Sequence, residues 1–120
     1  MSSLGKRKEL GQVGEQLATE FLLSKGYLLL THNFTTRIGE IDLLMQDEST
    51  IVVVEVKTLS QARGFDPIDQ IDGAKQRKLQ VLAQEVAARY PTYNVRIDAV
   101  TVYWENSSEP VVTHFENIIF

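Results

Sequence analysis

Apolar residues recur along this chain in two rhythms. From Glu9 to Gly26, the residues Leu10, Val13, Leu17, Ala18 and Phe21 fall on one stripe at helical spacing, and Gly26 supplies a natural stop. From Asp69 to Arg89, Ile71, Leu79, Leu82 and Val86 do the same, with Pro91 just beyond. The remaining apolar runs are rich in β-branched residues and predict strands. They are Tyr27–Phe34, Gly39–Met45, Ile51–Lys57, Asn94–Trp104 and Val111–Phe120. The first lacks clean alternation, which fits a strand covered on both faces or lying at an edge. In the fourth, Val95, Ile97, Ala99 and Thr101 share a face. Leu59–Ile68 holds Gly64 and Pro67 without periodicity and predicts a loop, and Asn106–Pro110 predicts a turn. The order is helix, three strands, helix, two strands. The third strand, second helix and fourth strand form a right-handed crossover whose strands are parallel. This αβββαββ order predicts an α/β fold with a mixed sheet flanked by helices, in one domain spanning residues 1–120.

Two of these strands carry charge where a strand interior should be apolar. Ile41, Leu43 and Met45 point one way in strict alternation, against Glu40, Asp42 and Leu44. Val52, Val54 and Val56 share a face, against Val53, Glu55 and Lys57. A four-residue hairpin loop of Asp47–Thr50 pairs Gln46 with Ile51. Leu44 then opposes Val53, Asp42 opposes Glu55, and Glu40 opposes Lys57. Directly opposed side chains lie about 5 Å apart at Cβ. Two carboxylates that close require a compensating cation, which a divalent metal would supply. Lys57 follows about 7 Å along the strand from Glu55. The plainer alternative is a salt-bridge cluster on a solvated sheet face, but a solvated face would not also carry Leu44 and Val53.

Other residues gather around this pair. Glu15 lies on the flank of the first helix's stripe, where it either snorkels to water or reaches over the sheet toward Asp42 and Glu55. Lys75 and Lys78 continue the apolar stripe of the second helix. Either that stripe runs past the core and over the site, with Arg77 beside them, or the lysines snorkel at the core margin. Arg63 sits in the loop that leaves the strand after Lys57. His114 reads as a surface or packing histidine, because no neighbouring strand supplies a second imidazole.

Composition narrows the setting. With 43% hydrophobic and 23% charged residues, the chain is an ordinary globular protein, with no run long enough to span a bilayer. The polar, basic stretch from Met1 to Leu10 predicts no secretory signal. The absence of cysteine rules out a disulfide framework and suits a cytoplasmic protein. A net charge of −4 runs against the basic surplus of a typical nucleic-acid binder, so any such binding comes from a local patch and is salt-sensitive.

Asp, followed on the next strand by Glu-x-Lys, is the active-site pattern of restriction-endonuclease-like nucleases. The chain also resembles the YraN-like family of bacterial proteins. The likeness rests on Gly11-Gln12-Val13-Gly14-Glu15, Arg37-Ile38-Gly39-Glu40-Ile41-Asp42-Leu43, Val54-Glu55-Val56-Lys57-Thr58, Lys75-Gln76-Arg77-Lys78-Leu79, Arg96-Ile97-Asp98-Ala99-Val100 and His114-Phe115-Glu116-Asn117. It covers nearly the whole chain. It implies an endonuclease-like fold similar to archaeal Holliday junction resolvases, with Glu15, Asp42, Glu55 and Lys57 at the nuclease site positions. Leu59 is a departure, standing where family members usually carry Arg, with Arg63 available as a substitute.

The expected activity is metal-dependent phosphodiester hydrolysis on nucleic acid, DNA ahead of RNA, with branched DNA suggested by the resolvase likeness. Asp42, Glu55 and Glu15 are the candidate ligands of Mg²⁺ or Mn²⁺, hard cations that prefer oxygen. Lys57 completes the catalytic set. Arg37, Arg63, Lys75, Arg77 and Lys78 are the candidate nucleic-acid-binding residues. A homodimer is the assembly in which junction-cutting enzymes of this fold act. The alternative is a non-catalytic nucleic-acid- or protein-binding module that retains the fold.

Overall fold

The computed structural model of the chain describes residues 3–60, 68, 71–104 and 109–118. Its elements are α1 (Ser3–Ser24), β1 (Leu28–Thr35), β2 (Glu40–Asp47), β3 (Thr50–Ser60), α2 (Gly73–Arg89), β4 (Asn94–Trp104) and β5 (Val111–Phe115). The αβββαββ order is as expected. The strands form one mixed sheet in the order β1-β2-β3-β4-β5, antiparallel except between β3 and β4. That parallel pair brackets α2, as the crossover predicts. β1 lies at one edge of the sheet, which settles its missing alternation: Leu28 and Leu30 remain exposed.

Each helix covers one face. Ala18, Leu22 and Tyr27 pack on Leu43, Met45, Val52, Val54, Val56, Val100 and Val102. Leu79, Leu82 and Val86 of α2 pack with Ile71 on Leu44, Ile51, Val53, Ile97 and Ala99. The α1 stripe is rotated from its predicted position. Val13 is 46% exposed, while Gly14, Ala18 and Leu22 are buried, at i, i+4 and i+8. Glycine carries no hydrophobic signal, so the sequence pattern centred the stripe one residue early. At Gly14 the helix comes so close to β3 that a Cβ would collide with the Thr58 hydroxyl and sit 2.9 Å from its Cβ.

Several boundaries differ for identifiable reasons. α2 starts at Gly73 because Asp72 caps it, its carboxylate accepting the Lys75 N–H at 3.0 Å. β3 runs through Leu59 to Ser60, since these residues pair with Tyr103 and Trp104. β5 stops at Phe115, and the Asn117 and Ile118 amides turn back to bond the Asp98 carboxylate and the Ile97 carbonyl. The β2–β3 loop has two residues, Glu48 and Ser49, rather than four, because Asp47 pairs with Thr50. Shortening the loop by one pair leaves the register unchanged: Gln46 faces Ile51 and Leu44 faces Val53.

Candidate active site

The regular ladder between β2 and β3 ends at Leu43↔Val54. At the next step the Asp42 side chain replaces the backbone: its Oδ2 accepts the Val56 N–H at 2.9 Å. Strict alternation also fails there. Ile41 joins Leu44 and Val53 on the α2 face, whereas Leu43 lies on the α1 face. On the other side of β2, Asn33 would oppose Asp42, but it adopts φ of 52° and does not join the paired positions. β2 is therefore irregular on both sides of Asp42, and its carboxylate is freed from ordinary strand geometry.

Glu55 is 4% exposed and lies beside Asp42, each carboxyl acting on the ionisation of the other. Burial pushes Glu55 up to about 7, with the Asp42 charge adding to the rise and Lys75 and Lys57 opposing it. Burial raises Asp42 as well, against the Val56 N–H, Lys75 and the Glu55 hydrogen bond, which favour its ionised form, while Glu40 adds to the rise. Two desolvated carboxyls with too little compensation are the result.

Glu15 arrives from α1. The close contact of Gly14 with Thr58, the residue after Lys57, brings this turn of the helix over the end of β3. Glu15 is also raised to about 7, by burial first and then by Asp42 and Glu40. It therefore approaches the site rather than projecting into bulk water, and it lines a cleft of about 320 Å³ between α1 and β1, with Gln12, Gln16, Thr19, His32 and Asn33. However, among the described residues no three His, Cys, Asp or Glu side chains converge closely enough to hold an ion. Asp42 and Glu55 form a pair, and Glu15 stands beside it.

The basic residues divide. Lys75 does not sit on a rim: its Nζ is 3.0 Å from Glu55 Oε1, inside the site. Lys78 lies across the turn before β2, where a Cβ on Gly39 would sit 2.7 Å from its Cε. Arg37 and Arg77 are exposed, and Lys57 is half-buried near Glu55. Arg63 falls outside the described residues. The reach of the α2 stripe over the site thus holds for Lys75, and Lys78 borders it.

A second buried carboxylate shows by contrast what full compensation looks like. Asp98, on the α1 face of β4, is completely buried. It receives Arg96 Nε at 2.8 Å and Nη2 at 3.0 Å, the Asn117 N–H at 2.9 Å, and His114 Nε2 at 2.7 Å. Burial pushes it up, but the bonds from His114, Arg96 and Asn117 together hold it below the usual carboxylate range. Arg96 also donates to the Tyr27 hydroxyl at 2.8 Å. His114 is a packing residue as expected: its side chain is 1% exposed, and its ring meets Tyr27 edge-on. This cluster ties β5 and the end of α1 to β4. Sequence reasoning passed over it, although Arg96 and Asp98, two residues apart on one strand, necessarily share a face.

Comparison with known proteins gives the chain's family. The model of the uncharacterised protein family UPF0102 matches residues 14–102, a span that holds Glu15, Asp42, Glu55, Lys57 and Lys75. A UPF0102 protein of Clavibacter michiganensis subsp. michiganensis is 38% identical over 109 residues, covering 89% of this chain and 92% of the relative. One from Thermodesulfovibrio yellowstonii is 36% identical over 115 residues, covering 95% and 98%. One from Symbiobacterium thermophilum reaches 44% over 82 residues, covering 68% and 70%. With a family model matching most of its length and relatives aligned nearly end to end, the chain belongs to the UPF0102 family, the YraN-like proteins whose motifs it carries.

Proposed function

We propose that this protein is a metal-dependent phosphodiesterase acting on nucleic acid. The observation that carries the reading is the Asp42–Glu55 pair: a buried and a half-buried carboxyl side by side, at the end of the sheet, with less compensation than Asp98 receives on the same sheet. A fold keeps such a destabilising pair where it serves chemistry. The donor set fits Mg²⁺ or Mn²⁺, since Mg²⁺ is commonly held by one or two carboxylates, with water and substrate phosphate filling the remaining positions. Asp42 and Glu55 would be the protein ligands. When bound, the ion supplies a water of lowered pKa and takes up charge on the scissile phosphate.

The chain's own residues do the rest. Lys57, following Glu55 on β3, orients the attacking water and offsets the charge that builds on the phosphorus. Glu15, outside the pair and with its pKa raised to about 7, is placed to hold or pass a proton at the edge of the site. Lys78, Arg77 and Arg37 supply phosphate contacts that carry no sequence information, and Arg63 is a further candidate for the same role. DNA is preferred to RNA as substrate, and a homodimer is the proposed assembly.

The test is a panel of labelled branched, duplex and single-stranded DNA and RNA, incubated with Mg²⁺ or Mn²⁺, with the wild type beside Glu55→Gln. Cleavage by the wild type and none by the variant is the expected result. No cleavage of any member by the wild type refutes the activity. The Lys75–Glu55 ion pair favours a second reading, a binding module that keeps the fold without turnover. Retained nucleic-acid binding without metal affinity would select it.

A further inference from the structure

Lys75 occupies an unfavourable place in its own helix. It lies in the first turn of α2, its N–H held by the Asp72 cap, where the exposed amide dipoles disfavour a cation. No acidic residue shares that turn. Compensation comes from outside the helix, from Glu55 Oε1 at 3.0 Å. Leu79, Leu82 and Val86 clamp the rest of the same stripe into the core, so the Lys75 backbone is fixed and only its four-carbon stem can move. The two partners also differ in access. The Glu55 side chain is 5% exposed, whereas that of Lys75 is 33% exposed and has a route to water.

We infer that Lys75 is the resident cation of this carboxylate pair, holding Glu55 until a divalent ion takes that oxygen and then swinging on its stem to meet a substrate phosphate. The inference rests on the metal-binding reading of the site. An ammonium 3.0 Å from Oε1 and a Mg²⁺ at roughly 2.1 Å from the same oxygen compete for it, by like charge and by the space each requires. Released, Nζ leaves toward the solvent side, where Lys78 crosses Gly39, and Lys75 then joins Lys78 in facing the substrate. Metal loading thereby creates a phosphate contact, which makes metal and nucleic acid bind with positive coupling, each raising the affinity of the other.

Two measurements on the full chain test this. Mn²⁺ is titrated calorimetrically at pH 8 into wild type, Lys75→Met and Lys78→Met. In parallel, wild-type lysines are labelled with an amine reagent, with and without Mg²⁺, and read by mass spectrometry. Lys75→Met should bind Mn²⁺ about tenfold more tightly than wild type, with Lys78→Met unchanged, and Mg²⁺ should raise labelling of Lys75 severalfold but not of Lys78. Removing a nearby charge would tighten binding without freeing the amine, so tighter binding with unchanged labelling overturns the exchange. Should Lys75→Met fail to fold, the labelling of wild type decides alone. Mn²⁺ binding by wild type, with unchanged affinity in Lys75→Met and unchanged labelling, overturns the role of Lys75 and leaves the metal site standing. No binding by any of the three proteins overturns both.

Discussion

Replacing Glu55 by Gln should make the metal-free protein more stable, and only at neutral and alkaline pH. Raising this carboxyl from 4.5 to about 7 means that its ionisation costs about 3 kcal/mol more in the fold than in the unfolded chain. A group raised on folding contributes fully below its unfolded pKa and loses that contribution as pH rises through the folded value. The wild type therefore gives up stability between about pH 5 and pH 8, while the amide, isosteric with the neutral acid, does not. Some of the gain is offset because Lys75 loses its partner, but that ammonium has access to water and can turn to Asp42. A net gain of about 1–3 kcal/mol at pH 8, shrinking below about 1 kcal/mol at pH 5, is the expectation. At roughly 4 °C per kcal/mol for a chain of this length, Tm should rise by about 4–12 °C at pH 8. Thermal unfolding followed by circular dichroism in EDTA, at pH 5 and pH 8, measures it. A variant that melts at or below wild type at pH 8, or one whose advantage is equal at both pH values, refutes the reasoning.

Two further substitutions probe the frame around the site. Asp98→Asn should do the reverse of Glu55→Gln: it breaks a fully partnered buried cluster and should cost about 2–4 kcal/mol at pH 7. Because folding lowers the Asp98 pKa, its contribution is present above the ordinary 3.8 and lost as pH falls below it, so urea midpoints of wild type and variant should converge in acid. Gly14→Ala places a methyl group against Thr58 and should cost about 1–3 kcal/mol, part of it recovered in the double variant with Thr58→Ala, which removes the hydroxyl and Cγ2 but leaves the Cβ at 2.9 Å.

Much of this architecture is legible in the sequence because it rests on alternation and helical spacing. The register of β2 on β3 follows from Leu44, Ile51 and Val53, whose burial forbids a one-residue slip. For that reason the sequence brings Asp42 and Glu55 together even though it predicts a four-residue loop where the structure has two residues. What resisted reading was contact that leaves no periodic trace. Gly14 is central to the α1 packing but has no side chain to announce it, and Val13 beside it took its place in the stripe. Asp42 departs from alternation because its carboxylate, not its backbone, meets Val56, and no pattern of apolar residues encodes that exchange.

The lysines on α2 show the limit most clearly. Spacing put Lys75 and Lys78 on the buried stripe alike, and nothing in it separated them. The difference arises from depth along the helix: Lys75 lies four residues before Leu79 and so extends the stripe over the end of the sheet, whereas Lys78, next to Leu79, is carried toward Gly39. One lysine thereby enters the charge balance of the carboxylates, and the other stays at their border. The site is thus an arrangement of three elements meeting at one end of a sheet. α1 reaches it through the Gly14 contact, β2 through its irregularity at Asp42, and α2 through the Asp72 cap that fixes where Lys75 begins. A change at the Gly14 contact or at the Asp72 cap should alter the compensation of Asp42 and Glu55 without touching either of them.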